Sequence, residues 1–362
     1  MEDSSITNPR SRIIYAVLIV GILVLAAVPR LLQLDYFLMV DENLWYERST
    51  LFLQGLVSGN LVQTVQTGHP GVTTMWSGTI GLVLHYGQAA LPGESLAQFA
   101  DRMTTTPATL NTLRMLRLPL ALLSAVIVTV AFVLAWRLLG LGAALAGAAL
   151  LAFEPLFLAH SRVLHHDSPA ADFSLLAVLC WLLYLKEDRR GYLVLAGVGV
   201  ALAMLSKVSS VFLLGFAGLT LLPGLWRQRR HLWGGLRIAA ARWLTLVGVT
   251  CLVIILVWPA VWAAPRTTLS MVFGFITHES GPHANGTFFM GSPVPDAGLF
   301  YYPVGLAYAL TPLTLLGLLL SLVGLGLGWY RARRLGMSET VSRWQWVSWL
   351  WLYVILFITY MS

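Results

Sequence analysis

The sequence predicts an all-α polytopic membrane protein, and three observations support this fold class. Hydrophobic residues occupy 57% of the 362 positions and charged residues only 11%. The mean hydropathy of +0.75 implies more apolar surface than a soluble domain of this length could bury. The basic residues fall in short clusters between apolar segments, so the formal charge of +7 is not the pattern of a nucleic-acid-binding protein.

Nine apolar segments are predicted to cross the bilayer. The first, Ile13–Leu34, is too long for the apolar core of a signal peptide and is interpreted as an uncleaved anchor. The others are Leu118–Leu138, Ala143–Ala159, Ser168–Leu185, Tyr192–Ser206, Val208–Leu225, Trp243–Ala264, Pro303–Leu327 and Trp344–Tyr360. Basic clusters precede the first span at Arg10 and Arg12 and recur at 186–190, 226–242 and 330–334, and all of them belong on the cytoplasmic side.

The segment Gly71–Leu91 decides the topology. It is apolar enough to cross the membrane, but it carries His85, Gln88 and several Thr and Ser residues. If it crossed, every later loop would change sides and the strongest basic clusters would face outward. We therefore predict that it lies along the outer surface.

On this map residues 1–362 form a single transmembrane domain with two large external parts. The first, 35–117, consists of surface helices, and the second is the loop 265–302. The last apolar segment runs to the final residue. The chain is therefore expected to end in or just beyond a span, or to be truncated at its C-terminus.

Ionisable residues concentrate on the predicted outer side. Asp41 and Glu42 directly follow the first span, and they read either as caps of a surface helix or as a carboxylate base held at the membrane face. The stretch "QTGHPGVTTMW" contains His69, which either belongs to a turn or is delivered to a site. Seven of the eight histidines map to this side: His69, His85, His160, His165, His166, His278 and His283.

Two further groups lie at predicted span boundaries. In "SRVLHHDSP", Asp167 suits the N-terminal cap of a helix, but capping does not explain why Arg162, His165 and His166 accompany it. Lys207 is one of two lysines in the chain and lies between two apolar segments. It either extends to the interface or binds an anionic group such as phosphate.

A last cluster lies in the second external loop. His278, Glu279 and His283 have a spacing that allows them to ligate a divalent metal ion, which would be the one cofactor indicated. The two histidines can equally bind phosphate oxygens of a substrate or order the loop. The sequence leaves these alternatives open.

The order of these elements resembles the GT-C glycosyltransferases, specifically the dolichyl-phosphate-mannose protein mannosyltransferase-like family and the related aminoarabinose transferases. The resemblance rests on "DE" after the first span, a His-Pro element, "SR…D" and "SK". It implies a GT-C helix bundle with Asp41 as base, Glu42 beside it and Asp167 as a second carboxylate. The family's His-Pro-Pro reads His-Pro-Gly here. Substrate contacts are expected from His69, Arg162, His166, Lys207, His278 and His283.

The predicted function is inverting transfer of a sugar from a polyprenyl phosphate to an acceptor hydroxyl of a protein, lipid or glycan. Such a donor carries its own leaving group, so one base and cations for the phosphate suffice. The expected location is a bacterial plasma membrane with the site facing outside. A transporter or flippase would instead place charges midway through several spans and on both sides. A non-catalytic scaffold would leave Lys207, Arg162 and Asp167 unexplained.

Overall fold

The structure is a computed structural model that describes residues 9–227, 232–279, 287–295, 298–335 and 338–361. Within these residues the chain forms sixteen α-helices and one antiparallel hairpin. The helices are α1 Pro9–Leu31, α2 Glu42–Ser58, α3 Val72–Ala89, α4 Leu96–Thr105, α5 Leu110–Leu139, α6 Leu141–Phe153, α7 Pro155–His160, α8 Asp167–Glu187, α9 Arg190–Ser206, α10 Phe212–Arg227, α11 Leu232–Val257, α12 Pro259–Ala263, α13 Pro265–Glu279, α14 Tyr301–Ala309, α15 Pro312–Leu335 and α16 Ser338–Met361. The hairpin pairs β1 Thr287–Phe289 with β2 Ser292–Val294.

The helix lengths confirm the predicted fold class of a multi-pass α-helical membrane protein. Six helices of the described residues are long and apolar enough to span a bilayer, and three shorter apolar helices accompany them. The six are Arg12–Leu31, Leu110–Leu139, Asp167–Glu187, Val208–Leu225, Leu232–Val257 and Pro312–Arg331, and the shorter ones are Leu141–Phe153, Arg190–Ser206 and Trp344–Tyr360. Helix α3 is not among them. The prediction that it lies on the outer surface stays a prediction.

Three predicted spans are interrupted. One of them, Trp243–Ala264, divides into α11 and α12 at Trp258, which has an extended backbone. The segment Ala143–Ala159 divides into α6 and α7, because Glu154 has an extended backbone and Pro155 begins the next helix. The segment Pro303–Leu327 divides into α14 and α15 before Pro312. Glu154 accepts a hydrogen bond from the Thr311 hydroxyl at 2.8 Å, so these last two breaks are joined to each other.

Small residues let the helices of the bundle approach closely. A Cβ atom on Gly199 of α9 would lie 2.9 Å from the backbone nitrogen of Ala177 on α8, and one on Gly197 would meet Val249 of α11. Lipid tails are as apolar as the side chains, so close backbone packing of this kind holds membrane helices together. Trp181 is fully enclosed in this bundle and donates its indole N–H to the Thr220 hydroxyl at 2.8 Å.

A second core lies where α2, α3 and α4 cover the N-terminal half of α5. Trp45, Phe52, Met75 and Phe99 are buried there. Helix α3 is drawn against α5 at Gly81, where a Cβ atom would lie 2.4 Å from the Cα atom of Leu116. This packing fixes the helix that begins at Glu42 relative to the bundle, and the segment that begins α8 meets the same layer.

Candidate active site

Four chain segments meet at one end of the bundle. Asp41 occupies the N-cap of α2, and His69 lies in the loop before α3. Asp167 begins α8, and Lys207 follows the last residue of α9. The structure therefore brings together side chains that are up to about 165 positions apart in the sequence.

Glu42 is a buried clamp beneath this cluster. Its side chain is completely enclosed and accepts hydrogen bonds from the Arg117 guanidinium at 2.8 Å, the Leu164 amide at 2.8 Å and the Met39 amide at 2.9 Å. Arg117 also donates to the carbonyls of Leu34 and Phe37. Because both of its oxygen atoms accept hydrogen bonds, Glu42 joins α5, the start of α2 and the loop before α8. It is a positioning residue in this geometry.

Asp41 points the other way. About half of its side chain is exposed, at 51%, and its Oδ2 atom lies 3.5 Å from Nε2 of His165. It makes no side-chain cap to its own helix, so the capping interpretation of this aspartate is wrong in the structure. A carboxylate with one neighbouring imidazole and an open side is available to an incoming group.

His165 connects the two carboxylates. Its Nδ1 atom accepts a hydrogen bond from the Asp167 backbone N–H at 3.3 Å and lies 3.4 Å from Oδ2 of the same residue. When Nδ1 is the acceptor, the ring proton is on Nε2, and it faces Asp41. The imidazole is 95% buried, so its orientation is held by the surrounding protein.

Lys207 and Asp167 form the ion pair of the cluster. The Nζ atom of Lys207 lies 2.9 Å from Oδ1 of Asp167, and both side chains are partly exposed, at 27% and 38%. The pair therefore lies at the open edge of the site. Its cation can contact a bound anion without leaving the carboxylate.

Gly71 explains why this chain has His-Pro-Gly. Its backbone φ of +55° is left-handed, and a Cβ atom would lie 2.2 Å from the Trp45 ring. Proline, which requires φ near about −65°, would fit neither condition. The Gly71 amide donates to the Ser206 carbonyl at 3.2 Å, and Thr73 shares a hydrogen bond of 2.6 Å with the Ser206 hydroxyl. The glycine thus holds the His69 loop against the residue preceding Lys207.

A wall of aromatic and imidazole rings borders the cluster. The His166 ring lies 4.9 Å from Trp45 and 5.1 Å from His69, measured between centroids, and His69 lies 4.3 Å from Phe275 of α13. Burial, reinforced by Lys207, lowers the pKa of His69 to about 4. Burial also lowers the pKa of His166 to about 3, opposed by Asp167. Both rings are therefore neutral at pH 7.

These rings leave polar atoms without partners. Within the described residues, both ring nitrogens of His166 and Nδ1 of His69 are enclosed and find no hydrogen-bond partner. A buried unpaired nitrogen costs free energy, so such atoms indicate a position where a ligand or water completes the contacts. The substrate contacts predicted for His69 and His166 stay predictions.

Arg162 does not join the cluster. Its guanidinium donates to the carbonyls of Leu32 and Gln33 at the end of α1, and its Nε atom is buried without a partner. Arg162 was predicted in the site because it is close to Asp167 in the sequence. The turn after α7 directs its side chain towards the end of α1. Its predicted contact with substrate stays a prediction that this conformation does not support.

One group of residues in the cluster has the geometry to hold a metal ion. Among the described residues, His160, His165 and Asp167 have potential ligand atoms within 4.8 Å of one another. Lys207 already neutralises Asp167 at 2.9 Å, which weakens the case for a second cation there. Of the predicted set, His278 and Glu279 end α13 and His283 lies outside the described residues. Their metal and substrate contacts remain predictions.

Three further residues of the site were not predicted from the sequence. They are His165, Arg48 and Tyr302. The guanidinium carbon of Arg48 lies 4.6 Å from the centroid of the Trp45 ring. Arg48 also interacts electrostatically with Asp41 and with His69. The pKa of Tyr302 is raised by burial, then by Tyr301 and by the negative charge of Asp167. Helix spacing relates Arg48 to Trp45 at i, i+3, but Tyr302 has no local signal.

Comparison with known proteins agrees with this fold. Residues 107–262 match the family model of the dolichyl-phosphate-mannose-protein mannosyltransferases, as the sequence resemblance predicts. The crystal structure of ArnT from Cupriavidus metallidurans bound to undecaprenyl phosphate is similar, with a TM-score of 0.57 and 19% sequence identity. The fold is GT-C.

The structural similarity to ArnT covers unequal shares of the two chains. It covers 96% of this chain and 55% of the ArnT chain, so the present chain spans little more than half the length of that protein. The matched family segment contains α5 to α11, and hence Asp167 and Lys207, whereas Asp41 and His69 lie before it. The comparison with curated protein sequences found no match.

Proposed function

We propose that this chain is an inverting glycosyltransferase that moves a sugar from a polyprenyl phosphate to an acceptor hydroxyl at the outer membrane face. One observation carries the proposal. A half-exposed carboxylate, Asp41, lies beside the imidazole of His165, and the same imidazole contacts Asp167, which pairs with Lys207. Base and phosphate-binding cation are thus presented together at the end of an apolar bundle.

Asp41 is the better base of the two carboxylates. The Oδ1 atom of Asp167 accepts a hydrogen bond from the Lys207 ammonium at 2.9 Å, which stabilises the ionised carboxylate and reduces its affinity for a proton. Asp41 lies 3.5 Å from the His165 ring, and about half of its side chain is exposed. The imidazole N–H directs the carboxylate and leaves its second oxygen for the acceptor.

The reaction is a single displacement. The acceptor oxygen forms a bond to the anomeric carbon while the bond from that carbon to the phosphate oxygen breaks. The hydroxyl proton passes to Asp41, and the electron pair of the broken bond goes to the phosphate. Lys207 stabilises the developing phosphate charge, with Arg48 as a second cation near the open side. Attack from the face opposite the phosphate inverts the anomeric centre.

The neutral imidazoles suit the sugar side of the site. His69 and His166 offer unpaired ring nitrogens that donate to or accept from sugar hydroxyls or phosphate oxygens. Their pKa values of about 4 and about 3 keep them uncharged, so they add specificity without adding charge. The donor sugar and the acceptor, whether protein, lipid or glycan, are for experiment to identify.

Purified full-length chain incubated with radiolabelled polyprenyl-phosphate sugars and candidate acceptors tests the proposal. We expect label transfer to an acceptor with the anomeric configuration opposite to that of the donor. Retention of configuration would contradict the single displacement. Movement of intact donor across vesicle membranes with no transfer would support the flippase alternative instead.

The outer location has its own test. In a variant lacking native cysteines, Asp101→Cys is expected to react with an impermeant thiol reagent from outside intact cells. Arg229→Cys is expected to react only after permeabilisation, because its basic segment belongs to the cytoplasmic side. Labelling of both positions from the same side would overturn the topology and move the site.

A further inference from the structure

A second cluster of charged side chains lies at the opposite end of the bundle. A cavity of about 870 Å³ elsewhere has Arg331 as its one charged lining residue among those described, whereas this one, of about 550 Å³, lies between the start of α1, the end of α5 and the turn from α8 to α9. Its charged and aromatic lining consists of Arg12, Tyr15, Trp136, Arg137, Lys186, Glu187 and Arg189. Helix α8 has 21 residues, which separates this cavity from Asp167 by about 30 Å, the thickness of a bilayer core.

The cavity carries an excess of positive charge. Among the described residues, four cations line it, and Glu187 is the carboxylate beside them. Arg189 approaches that carboxylate at 3.4 Å, whereas Arg137 donates to the neutral hydroxyl of Tyr192 at 2.8 Å. Lys186 donates to the Leu138 carbonyl at 3.3 Å, at the end of α5. In the part of the chain that the structure describes, the acceptors of Arg137 and Lys186 are thus neutral oxygens, and the cavity favours an anion with more than one oxygen.

The walls of the cavity are partly apolar, so a ligand that fills it needs apolar surface of its own. Ala16 and Ile19 of α1 and Val133 of α5 line it towards the middle of the bundle. Between these walls and the cations, the rings of Tyr15 and Trp136 stack with centroids 4.4 Å apart and an interplanar angle of 20°. Aromatic rings at this level are typical of the membrane interface. A free phosphate would use the cations and leave the apolar walls empty.

We propose that this cavity binds an anionic glycerophospholipid of the cytoplasmic leaflet. The phosphate contacts Arg137, Lys186 and Arg189, the glycerol lies at the level of Tyr15 and Trp136, and an acyl chain follows Ile19 and Val133. Basic pockets between helices on the cytoplasmic side are suited to such head groups. This site is independent of the transferase site at the other end of α8.

Native mass spectrometry of the full chain released from detergent tests the proposal. The protein is titrated with phosphatidylglycerol, with phosphatidylcholine of the same acyl chains and with glycerol 3-phosphate. We expect phosphatidylglycerol to bind much more tightly than the other two. The double variant Arg137→Gln with Arg189→Gln is expected to lose between about tenfold and thirtyfold in that affinity.

Two further variants complete the design. Arg237→Gln with Arg334→Gln removes the same charge from described residues outside the cavity and is expected to bind phosphatidylglycerol like the unaltered chain. Ala16→Trp fills the apolar wall without a change of charge, so it is expected to weaken lipid binding even if the arginine variant folds poorly. Equal lipid binding by Ala16→Trp and the unaltered chain would overturn the proposal. The proposal would also be overturned if glycerol 3-phosphate bound as tightly as phosphatidylglycerol. It would likewise be overturned if the chain formed a dimer and bound no lipid.

Discussion

The two lysines of the chain lie at opposite ends of α8 and have opposite surroundings. Lys207 is paired at 2.9 Å with Asp167, and a second carboxylate, Asp41, follows beyond His165. Lys186 has backbone carbonyls as its acceptors and arginines as its neighbours. At one end cations and anions are matched and partly exposed, which suits a reaction in which charge moves. At the other end positive charge is in excess, which suits the static binding of an anion.

The comparison predicts which substitutions stop the reaction and which leave it unchanged. The largest effect is expected from Asp41→Asn, which keeps the size of the side chain and removes its basic oxygen. Turnover is expected to fall by about 10²–10⁴-fold, the usual contribution of a general base. Donor affinity is expected to change little, because the carboxylate contacts the acceptor. Transfer rate and donor binding are measured on the same preparation, and an active variant would refute the base assignment.

The next effect concerns stability. Glu42→Ala would leave the Arg117 guanidinium buried without its carboxylate partner, and the loss of one member of a buried pair costs about 3–5 kcal/mol. Thermal unfolding in detergent is expected at a clearly lower temperature than for the unaltered chain. The matched control is Glu94→Ala, which removes the carboxylate of the less buried Arg102 pair. Equal losses for the two variants would show that burial of Glu42 contributes nothing.

Lys207→Ala tests the cation at the matched end directly. A charge-assisted contact in a partly dry site contributes roughly 1.5–3 kcal/mol, so donor affinity is expected to fall by about tenfold to a hundredfold. Lys207→Arg is expected to retain part of it, since the ligand needs charge more than shape. Lys186→Ala is the control at the other end of α8 and is expected to bind donor normally. If both alanine variants bind donor alike, the distinction between the two ends fails.

The smallest effect is expected from pH. The folded-state pKa values of His69 and His166, about 4 and about 3, lie below the ordinary value of 6.5. Between these values the unfolded chain binds protons that the folded chain excludes, so the stabilising effect is complete above about pH 6.5 and is lost as the pH falls towards 4. Thermal unfolding measured from pH 7.5 to 5 is expected to decline less for the His166→Gln variant. Parallel profiles would contradict the neutral buried imidazole.

Local sequence features were enough for part of the site. Asp41, Asp167 and Lys207 were identified because charged residues at span boundaries are costly and because the resemblance aligns with them. Their convergence is found in the structure. For Arg162 the substrate contact stays a prediction, since adjacency to Asp167 along the chain says nothing about the direction of a side chain in a turn. There the guanidinium reaches the carbonyls of Leu32 and Gln33.

The sequence by itself determined the helical membrane class, because span length and hydropathy are properties of consecutive residues. It also placed the acidic and the basic clusters at different ends of the predicted spans, because the positions of charged residues are read directly from the sequence. Only the tertiary structure decided that Glu42 is a clamp, that His165 joins two carboxylates and that Gly71 must be glycine. Each of these depends on atoms from segments far apart in the chain. Their meeting is set by how α2, α3, α5 and α8 pack, and no local pattern encodes that packing.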